Sequence, residues 1–424
     1  MSFKKIIEKI IPKSLLGLYH YQLALISAFW YGFPSKKLIV IGVTGTKGKS
    51  TTVMLAGKIL EENGAKVAWL TSATIKIGEK EQLNPYHMTM PGRFAVQQFL
   101  KDAVRTGCKF AILEVTSEGI KQHRHKFIDF NTAVFTNLKP EHIEAHGSFE
   151  NYRFCKGRLF KSTKKNHILN FDDENVEYFM KFPAERKLIF GAKNKQANMV
   201  FAENIQESKE GAKFSINNID FNLKLLGKFN VYNALAAICI SISQGESLEN
   251  CKKALEKIET IPGRMELVIE KPFKVIVDLA HTPDSYEEVF KSVKFLPHNK
   301  IISVFGSAGG GRDKWKRPLL GKIAAQNSNT IILTNEDPYD ENPEQILSEI
   351  KSGILKTGFE LPNLYEILDR RKAIKKGLKL AGENDIVLVL GKGTEQLMMV
   401  SGKKIPWDDR QITKEELKKL GIGI

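Results

Sequence analysis

"VIGVTGTKGKSTT", running from Val40 to Thr52, decides the fold. The run "KLIVIGV" (Lys37 to Val43) that leads into it is short, apolar and β-branched, as buried parallel strands are. "KSTTVMLAGKILEENG" (Lys49 to Gly64) follows as a helix, with Asn63-Gly64 as its stop signal. A loop of this composition between strand and helix points backbone N–H groups and a helix N-terminus at phosphate. Lysine supplies the counter-charge, and serine or threonine reaches a magnesium ion. Gly45, Thr46, Lys47, Gly48, Lys49, Ser50 and Thr51 provide those parts. The G-x-x-x-x-G-K-[ST] spacing is missed, since its first glycine falls at Val43, and a shorter G-T-K-G-K-S form stands in its place. A solvated turn is the competing reading, and the strand–loop–helix context argues against it. The loop is predicted to bind nucleotide.

Outward from the loop, "KVAWLTSA" (66–73), "CKFAILEVTS" (108–117) and "NTAVFTNL" (131–138) read as further buried strands, each ending in polar residues. Such alternation with helices specifies an α/β domain with a parallel sheet, whose ligands sit at the carboxyl ends of the strands. Residues 164–222 are irregular and lysine-rich, suggesting peripheral strands or insertions; a clear helix begins in "GKFNVYNALAAICISIS" (227–243). The punctuation in "IPGR" (261–264) marks a domain boundary. "FKVIVDLA", "KIISVFGSA", "NTIILTN" and "DIVLVLG" then repeat the α/β pattern. The expected layout is a short apolar helical segment (1–36), a central P-loop-type ATP-binding domain (37–261) and a smaller, doubly wound, Rossmann-like domain (262–424).

The whole-chain numbers agree with this. A chain of 424 residues is too long for one ordinary core, and 42% hydrophobic with 26% charged residues describes a soluble globular protein. Sixty-four basic against 48 acidic residues give +16, which favours polyanionic partners without choosing among them. No nucleic-acid module or aromatic-interleaved basic stretch is present, so no nucleic-acid partner is expected. Cys108, Cys155, Cys239 and Cys251 show neither CxxC nor zinc spacing and read as reduced thiols of a cytoplasmic protein. The apolar stretch "LLGLYHYQLALISAFWYGF" (Leu15 to Phe33) follows Lys4, Lys5, Lys9 and Lys13. It lacks a signal-peptide cleavage site, and His20, Gln22 and Ser27 interrupt a membrane span. Two readings stay open: a helix packed on the domain behind it, which periodicity favours, or a helix lying peripherally in a membrane interface.

The loop G-T-K-G-K-S-T resembles the ATP loop of the Mur ligases, the amino-acid-adding enzymes of peptidoglycan synthesis, and of their folylpolyglutamate synthetase relatives. Further stretches fit in the same order: "LEVTSEGIKQHRH", "TNLKPEHIEAHGSFENYRFCKGRLF", "GKFNVYNALAA", "GRMELV", "VDLAHTPDS", "GRDKWKRP" and "GKGTE". The last four suit best the subfamily adding the third peptide residue to UDP-N-acetylmuramoyl-L-alanyl-D-glutamate. The resemblance implies a cytoplasmic ligase in which ATP activates a carboxylate as an acyl phosphate that an amine then attacks. Phosphoryl transfer of this kind rests on positioning and charge neutralisation.

Carried over residue by residue, the resemblance implies catalytic roles for Lys49, Glu114, His142 and Lys156. Ser50, Glu114 and His142 would hold magnesium. Lys156, if carbamylated by carbon dioxide, would help to hold a second ion, since a bare cation there would be repelled. Asn230, Asn233, Arg264 and Asp278 would contact ATP, the last two on closure of the domains. Thr89, Pro91, Ser117, Gln122 and Arg124 would hold the UDP-muramoyl-dipeptide, although Met90, Glu118 and Glu141 depart from the family's Thr, His and Asp. The incoming amino acid would be read by Glu336, Asp337, Pro338, Tyr339, Gly391 and Glu395. Diaminopimelate-adding enzymes carry D-N-P-R where this chain has Glu336-Asp337-Pro338-Tyr339, so the arginine that pairs with the distal carboxylate is a tyrosine here. The acidic surroundings favour lysine or another diamino acid such as ornithine; helix-capping, solvent-facing acids are the alternative.

The family's N-terminal UDP-gripping domain is expected to be missing, with only about 36 residues in front of the loop domain, against about a hundred for a typical domain. That leaves a lipid-linked acceptor open beside the UDP-linked one. A folylpolyglutamate synthetase and a non-enzymatic ATP-binding partner protein are the rival readings. "GRDKWKRP" and "GKGTE" argue against the first, and the four catalytic residues against the second. A monomer is expected.

Overall fold

The computed structural model describes residues 13–86 and 88–423. Residues 1–12 of the expected N-terminal segment lie outside the described residues. Helix α1 (Lys13–Trp30) stands in front of the first strand, β1 (Ile39–Thr44). The phosphate loop leads into α2 (Lys49–Glu62), which stops at Asn63 and at Gly64, whose φ of +82° suits glycine. Next come β2 (Val67–Leu70), the hairpin β3 (Thr74–Ile77) and β4 (Lys80–Leu83), and α3 (Arg93–Arg105). Strand β5 (Phe110–Glu114), α4 (Ser117–Lys121), β6 (Phe130–Phe135), α5 (Ile143–His146) and α6 (Phe149–Ser162) follow. The sheet is completed by β7 (Asn166–Asn170), α7 (Val176–Met180), β8 (Arg186–Gly191) and β9 (Val200–Phe201).

These strands form one nine-stranded sheet in the order β4-β3-β2-β5-β1-β6-β7-β8-β9, parallel except for the β3–β4 hairpin at one edge. Crossovers through helices force parallel pairing and bury both faces, which is why β1 and β5 read as unbroken apolar runs. One face packs on α2 and a later helix, α8 (Phe229–Ser243); the other packs on α3 and α6. The irregular lysine-rich stretch contains a separate three-stranded antiparallel sheet, β10 (Glu203–Ser208), β11 (Gly211–Ile216) and β12 (Ile219–Leu223), whose alternating apolar residues close the α8 side of the core. Helix α9 (Leu248–Leu255) ends this part of the chain.

Past the Ile261–Arg264 bridge a six-stranded sheet runs in the order β13-β14-β18-β15-β16-β17. Its strands are β13 (Glu266–Ile269), β14 (Lys274–Asp278), β15 (Ile301–Phe305), β16 (Thr330–Leu333), β17 (Leu364–Glu366) and β18 (Ile386–Leu390). Only the edge strand β13 is antiparallel. Helices α10 (Pro283–Val293), α11 (Lys316–Asn327) and α12 (Pro343–Leu355) cover one face; α13 (Arg370–Leu380) and α14 (Asp409–Lys419) cover the other, beyond the hairpin β19 (Leu397–Val400) and β20 (Lys403–Pro406). The carboxyl ends of β1, β5 and β6 face those of β14, β15 and β16 across one cleft of about 1430 Å³.

Candidate active site

The phosphate loop is held in shape by backbone geometry that only glycine meets. Gly45 has φ +152°, and a Cβ there would lie 2.0 Å from Thr136 Oγ1. Gly48, at φ +80°, caps α2, and its Cβ would lie 2.1 Å from Asn233 Oδ1. Asn137 pins the loop from β6's end, its carbonyl accepting from Thr46 N (2.8 Å) and its Oδ1 from Lys47 N (2.9 Å). Lys49 curls back so that Nζ donates to Thr46 O at 2.7 Å and lies 3.8 Å from Glu114 Oε1.

Glu114 ends β5, buried, with Oε2 accepting from Ser50 Oγ (2.7 Å) and Ser72 N (2.9 Å). Arg264 reaches over from the other domain and donates to Ser50 Oγ (3.1 Å) and Ser72 Oγ (3.2 Å). Among the described residues no group of three or more His, Cys, Asp or Glu converges as a metal cage. Magnesium does not need one: it keeps waters and phosphate oxygens and takes one or two carboxylates. The adjacent Ser50 hydroxyl and Glu114 carboxylate are a hard-oxygen pair that fits such an ion beside a triphosphate.

His142, at φ +57°, is on the rim, and burial lowers its imidazole to about 4, leaving a neutral ring with a free lone pair at pH 7. Glu141 lies within the domain junction. Its Oε1 lies 3.0 Å from His281 Nε2 and 3.5 Å from Lys47 Nζ. Burial opposes ionisation of Glu141, but Lys47 and the His281 hydrogen bond hold it well below the usual carboxylate range. Glutamate, longer than the family's aspartate, is what spans this junction. Lys156 is only 1% exposed, with Nζ 2.7 Å from Gly45 O and 4.6 Å from the centre of the Tyr152 ring. Burial, reinforced by Lys49, drives its pKa well below that of ordinary lysine.

At the other end of the cleft, Thr89, Ser117 and Arg124 form its lining together with Met90 and Glu118. Arg124 donates to Met90 O and, at 2.8 Å, to Gln122 Oε1, while Ser117 Oγ lies 3.1 Å from His146 Nε2. Gln122 and Pro91 stand behind the lining, and Gln122 serves to brace Arg124. Asn233 faces the phosphate loop; Asn230 is turned away, its amide on Leu226 O (2.8 Å) and its Oδ1 accepting from Asn233 (2.9 Å). Asp278 lines the cleft while accepting from Met265 N (2.7 Å) and Ala280 N (2.6 Å).

In the second domain Glu336, Asp337, Tyr339, Gly391 and Glu395 meet on one wall, with Pro338 behind them. The acids are not a bare anionic patch. Lys392, fully buried, lies 3.1 Å from Asp337 Oδ2 and 2.7 Å from Glu395 Oε2. Burial raises Glu336 to about 7, with Lys316 the largest opposing charge, and its Oε2 has no hydrogen-bond partner. Arg312 hydrogen-bonds the Tyr339 side chain and faces Glu395 and Glu336. The sequence reading missed Arg312, Lys316, Lys392, His281 and Ser72. Arg312 and Lys316 lay inside the quoted "GRDKWKRP", and their charge in a glycine-led loop was the available signal.

A glycine-rich phosphate loop on one α/β domain, closed upon by a second α/β domain carrying cations and acids, defines a nucleotide-dependent transferase or ligase cleft. The profile of the Mur ligase middle domain matches residues 43–241, and that of the Mur ligase glutamate ligase domain matches residues 263–393. The chain belongs to the Mur ligase family, the ATP-dependent, ADP-forming ligases. It is 36% identical over 422 residues to a UDP-N-acetylmuramyl-tripeptide synthetase of Roseiflexus sp., covering 95% of this chain and 82% of that protein. It is 37% identical to the UDP-N-acetylmuramoyl-L-alanyl-D-glutamate–2,6-diaminopimelate ligase of Aquifex aeolicus, over 92% of this chain and 79% of that one. A solved diaminopimelate ligase of this name superposes with TM-score 0.60 at 32% identity, covering 91% and 79% of the two chains. The folylpolyglutamate synthase of Mycobacterium tuberculosis, with TM-score 0.68 at 13% identity over 94% and 95%, shares the fold.

Proposed function

We propose that the chain adds a diamino acid to the D-glutamate carboxylate of UDP-N-acetylmuramoyl-L-Ala-D-Glu in the cytoplasm, with ATP as the energy source and as a monomer. The observation that carries this is the meeting, in one cleft, of the phosphate loop, the Ser50–Glu114 pair and the mixed-charge wall of Arg312, Glu336 and Glu395. Lys49 and the N–H groups of the loop hold the phosphates, and Arg264 neutralises charge as the γ-phosphoryl passes to the acceptor carboxylate. Thr89, Ser117 and Arg124 hold that acceptor in line. The amine, placed by the 336–339 and 391–395 segments, displaces phosphate from the acyl phosphate to form the amide. Ser50 and Glu114 would hold a magnesium ion and His142 would help to hold a second, which would supply charge neutralisation when bound. Lys156 is read as the carbamylated lysine of the site: burial and Lys49 both disfavour its protonated form, and the unprotonated amine is the form that adds carbon dioxide.

Diaminopimelate is the favoured amine. Its distal centre carries both an ammonium and a carboxylate, and the wall offers Glu336, whose Oε2 has no hydrogen-bond partner, for one and Arg312 for the other; several relatives also bear diaminopimelate in their names. Lysine is the second reading, favoured by Tyr339 standing where arginine is expected. With Asp337 and Glu395 already paired to Lys392, the charge argument for lysine loses its premise. Phosphate release from ATP with the UDP-muramoyl-dipeptide and diaminopimelate, lysine or ornithine, tested separately, decides among them. Turnover with diaminopimelate alone is expected. Turnover only with a folate and glutamate would overturn the proposal.

A further inference from the structure

Helix α1 wears its amphipathicity inside out. The face lying against α3 is made of small residues, Ala24, Ser27 and Ala28, all fully buried, and Ser27 returns its hydroxyl to Ala24 O at 2.9 Å. Leu16 and Leu23 are half-buried at its border, and the other large apolar residues point away from the protein. Leu15, Leu18, Leu25 and Phe29 fall at spacings of three, seven and four along one side, flanked by Ile26 and Trp30, and all six are exposed. Phe29 and Trp30 are 77% and 76% exposed. A helix ordinarily turns its Leu, Ile, Phe and Trp inward, so an ordered array of them in water marks a surface that something else covers.

The charges around the helix choose the occupant. From Met1 to Lys37 the sequence carries Lys4, Lys5, Lys9, Lys13, Lys36 and Lys37 against the single acid Glu8, and α1 itself contains no Asp or Glu. A second copy docked on this face would bring the same lysine-rich flanks together with no acids to match them. An anionic lipid surface accepts both features: apolar and aromatic side chains enter the acyl boundary while lysines meet the headgroups. No helix among the described residues is long and apolar enough to cross a membrane, so α1 would lie on the surface.

The helix is also tied to the catalytic cleft. Arg93 at the start of α3 donates through Nε to His20 O (3.1 Å) and through Nη2 to Gln122 O (2.5 Å), and Gln122 braces Arg124. Tyr21 packs edge-on against Phe127 and His123 of the same acceptor-side segment. We propose that the Leu15–Trp30 face of α1 seats the protein peripherally on an anionic phospholipid bilayer and thereby holds the acceptor end of the cleft at the membrane surface. The second half of that statement rests on the acceptor assignment above; the first does not.

The test is sedimentation of the full chain with vesicles of phosphatidylcholine alone and with vesicles containing about a quarter phosphatidylglycerol. Binding is expected to the anionic vesicles only, weakened by salt, with a blue shift of tryptophan emission. In F29S/W30S, which alters only exposed positions, vesicle affinity is expected to fall about tenfold or more. K4E/K5E/K9E is expected to lose the preference for anionic lipid. Ligase turnover of F29S/W30S on a soluble acceptor is expected to be unchanged, so loss of lipid binding and failure of the ligase assignment give different results. Absence of the wild-type chain from both vesicle pellets overturns the proposal, as does equal binding by F29S/W30S. A dimer in analytical ultracentrifugation that F29S/W30S dissolves, without vesicle binding, assigns the face to self-association instead.

Discussion

Lys156 lies beneath the phosphate loop with its amine on Gly45 O, shielded from water and adjacent to Lys49. A protonated lysine there adds positive charge to a site that already holds two lysines of the loop, whereas a carbamate turns it anionic. Lys156→Ala is therefore expected to reduce turnover by about a hundredfold or more, with partial rescue by added small carboxylates. Carbon-13 bicarbonate should give a carbamate NMR signal in the wild type that the variant lacks. Glu336 has a stability signature of its own. Its folded pKa, about 7, exceeds the ordinary 4.5 because the carboxyl is buried. Below about pH 4.5 it is neutral in both folded and unfolded chains and has no linkage effect. Between about 4.5 and 7 the unfolded chain ionises first, so the folded state loses stability as pH rises, and above 7 the penalty is constant. Glu336→Gln should thus be more stable than wild type by up to about 3 kcal/mol at pH 8 and equal to it near pH 4.5, in paired thermal melts. On the proposed assignment its turnover should also fall, since that reading offers the buried carboxylate to the substrate ammonium.

The strand–loop–helix unit was the most legible part of the chain, because glycine spacing and apolar runs are local signals. The parallel strands of both domains were readable for the same reason. The β3–β4 hairpin was not, and the β10–β12 sheet was legible only as peripheral strands or insertions, since their partly exposed strands carry polar residues whose placement depends on distant partners. In the site, the motifs named the loop, Glu114, His142 and Lys156, but not the pairing of Asp337 and Glu395 with Lys392, which joins residues 55 and 3 positions apart in sequence. Nor could sequence show that Asn230 supports Asn233 from behind. The loop element carries its own prediction. Gly48→Ala must hold φ near +80° and push a methyl into Asn233 Oδ1. Alanine in that conformation costs about 1–2 kcal/mol before any collision. ATP affinity, followed with a fluescent ATP analogue by titration, is expected to drop at least about tenfold while the circular dichroism of the fold persists. An unchanged affinity would mean that the loop tolerates a side chain where the geometry allows none.

At the scale of the molecule, the two halves are joined by contacts that exist only when the cleft is closed. Asp313, from the second domain, accepts from the backbone of the first at His142 N (2.8 Å) and Glu144 N (3.1 Å), and Glu144 Oε1 accepts in return from Lys314 N (3.0 Å). Glu141 with His281, and Arg264 with Ser50 and Ser72, complete the seam. These polar groups can be hydrated in an open form, and beside them Leu226 and Phe229 of the first domain pack against the apolar core of the second, so the closed state rests on polar contacts together with a small apolar one. Asp313→Ala removes an acceptor from two N–H groups at once. Each hydrogen bond to a charged group is worth about 1.5–3 kcal/mol, so losing two should lower the closed-to-open ratio by about a hundredfold or more. Small-angle scattering of the unliganded variant should then give a larger radius of gyration than the wild type, and a non-hydrolysable ATP analogue should restore only part of the difference. Turnover should fall more than nucleotide affinity does, because the loop that binds ATP lies within one domain while the amine wall must be brought to it by the other. Asp313→Asn keeps one acceptor oxygen and should lie between the two. Equal radii for all three proteins would show that closure is set elsewhere, by the contacts of Arg264, Glu141 and Glu144 or by the packing of Leu226 and Phe229.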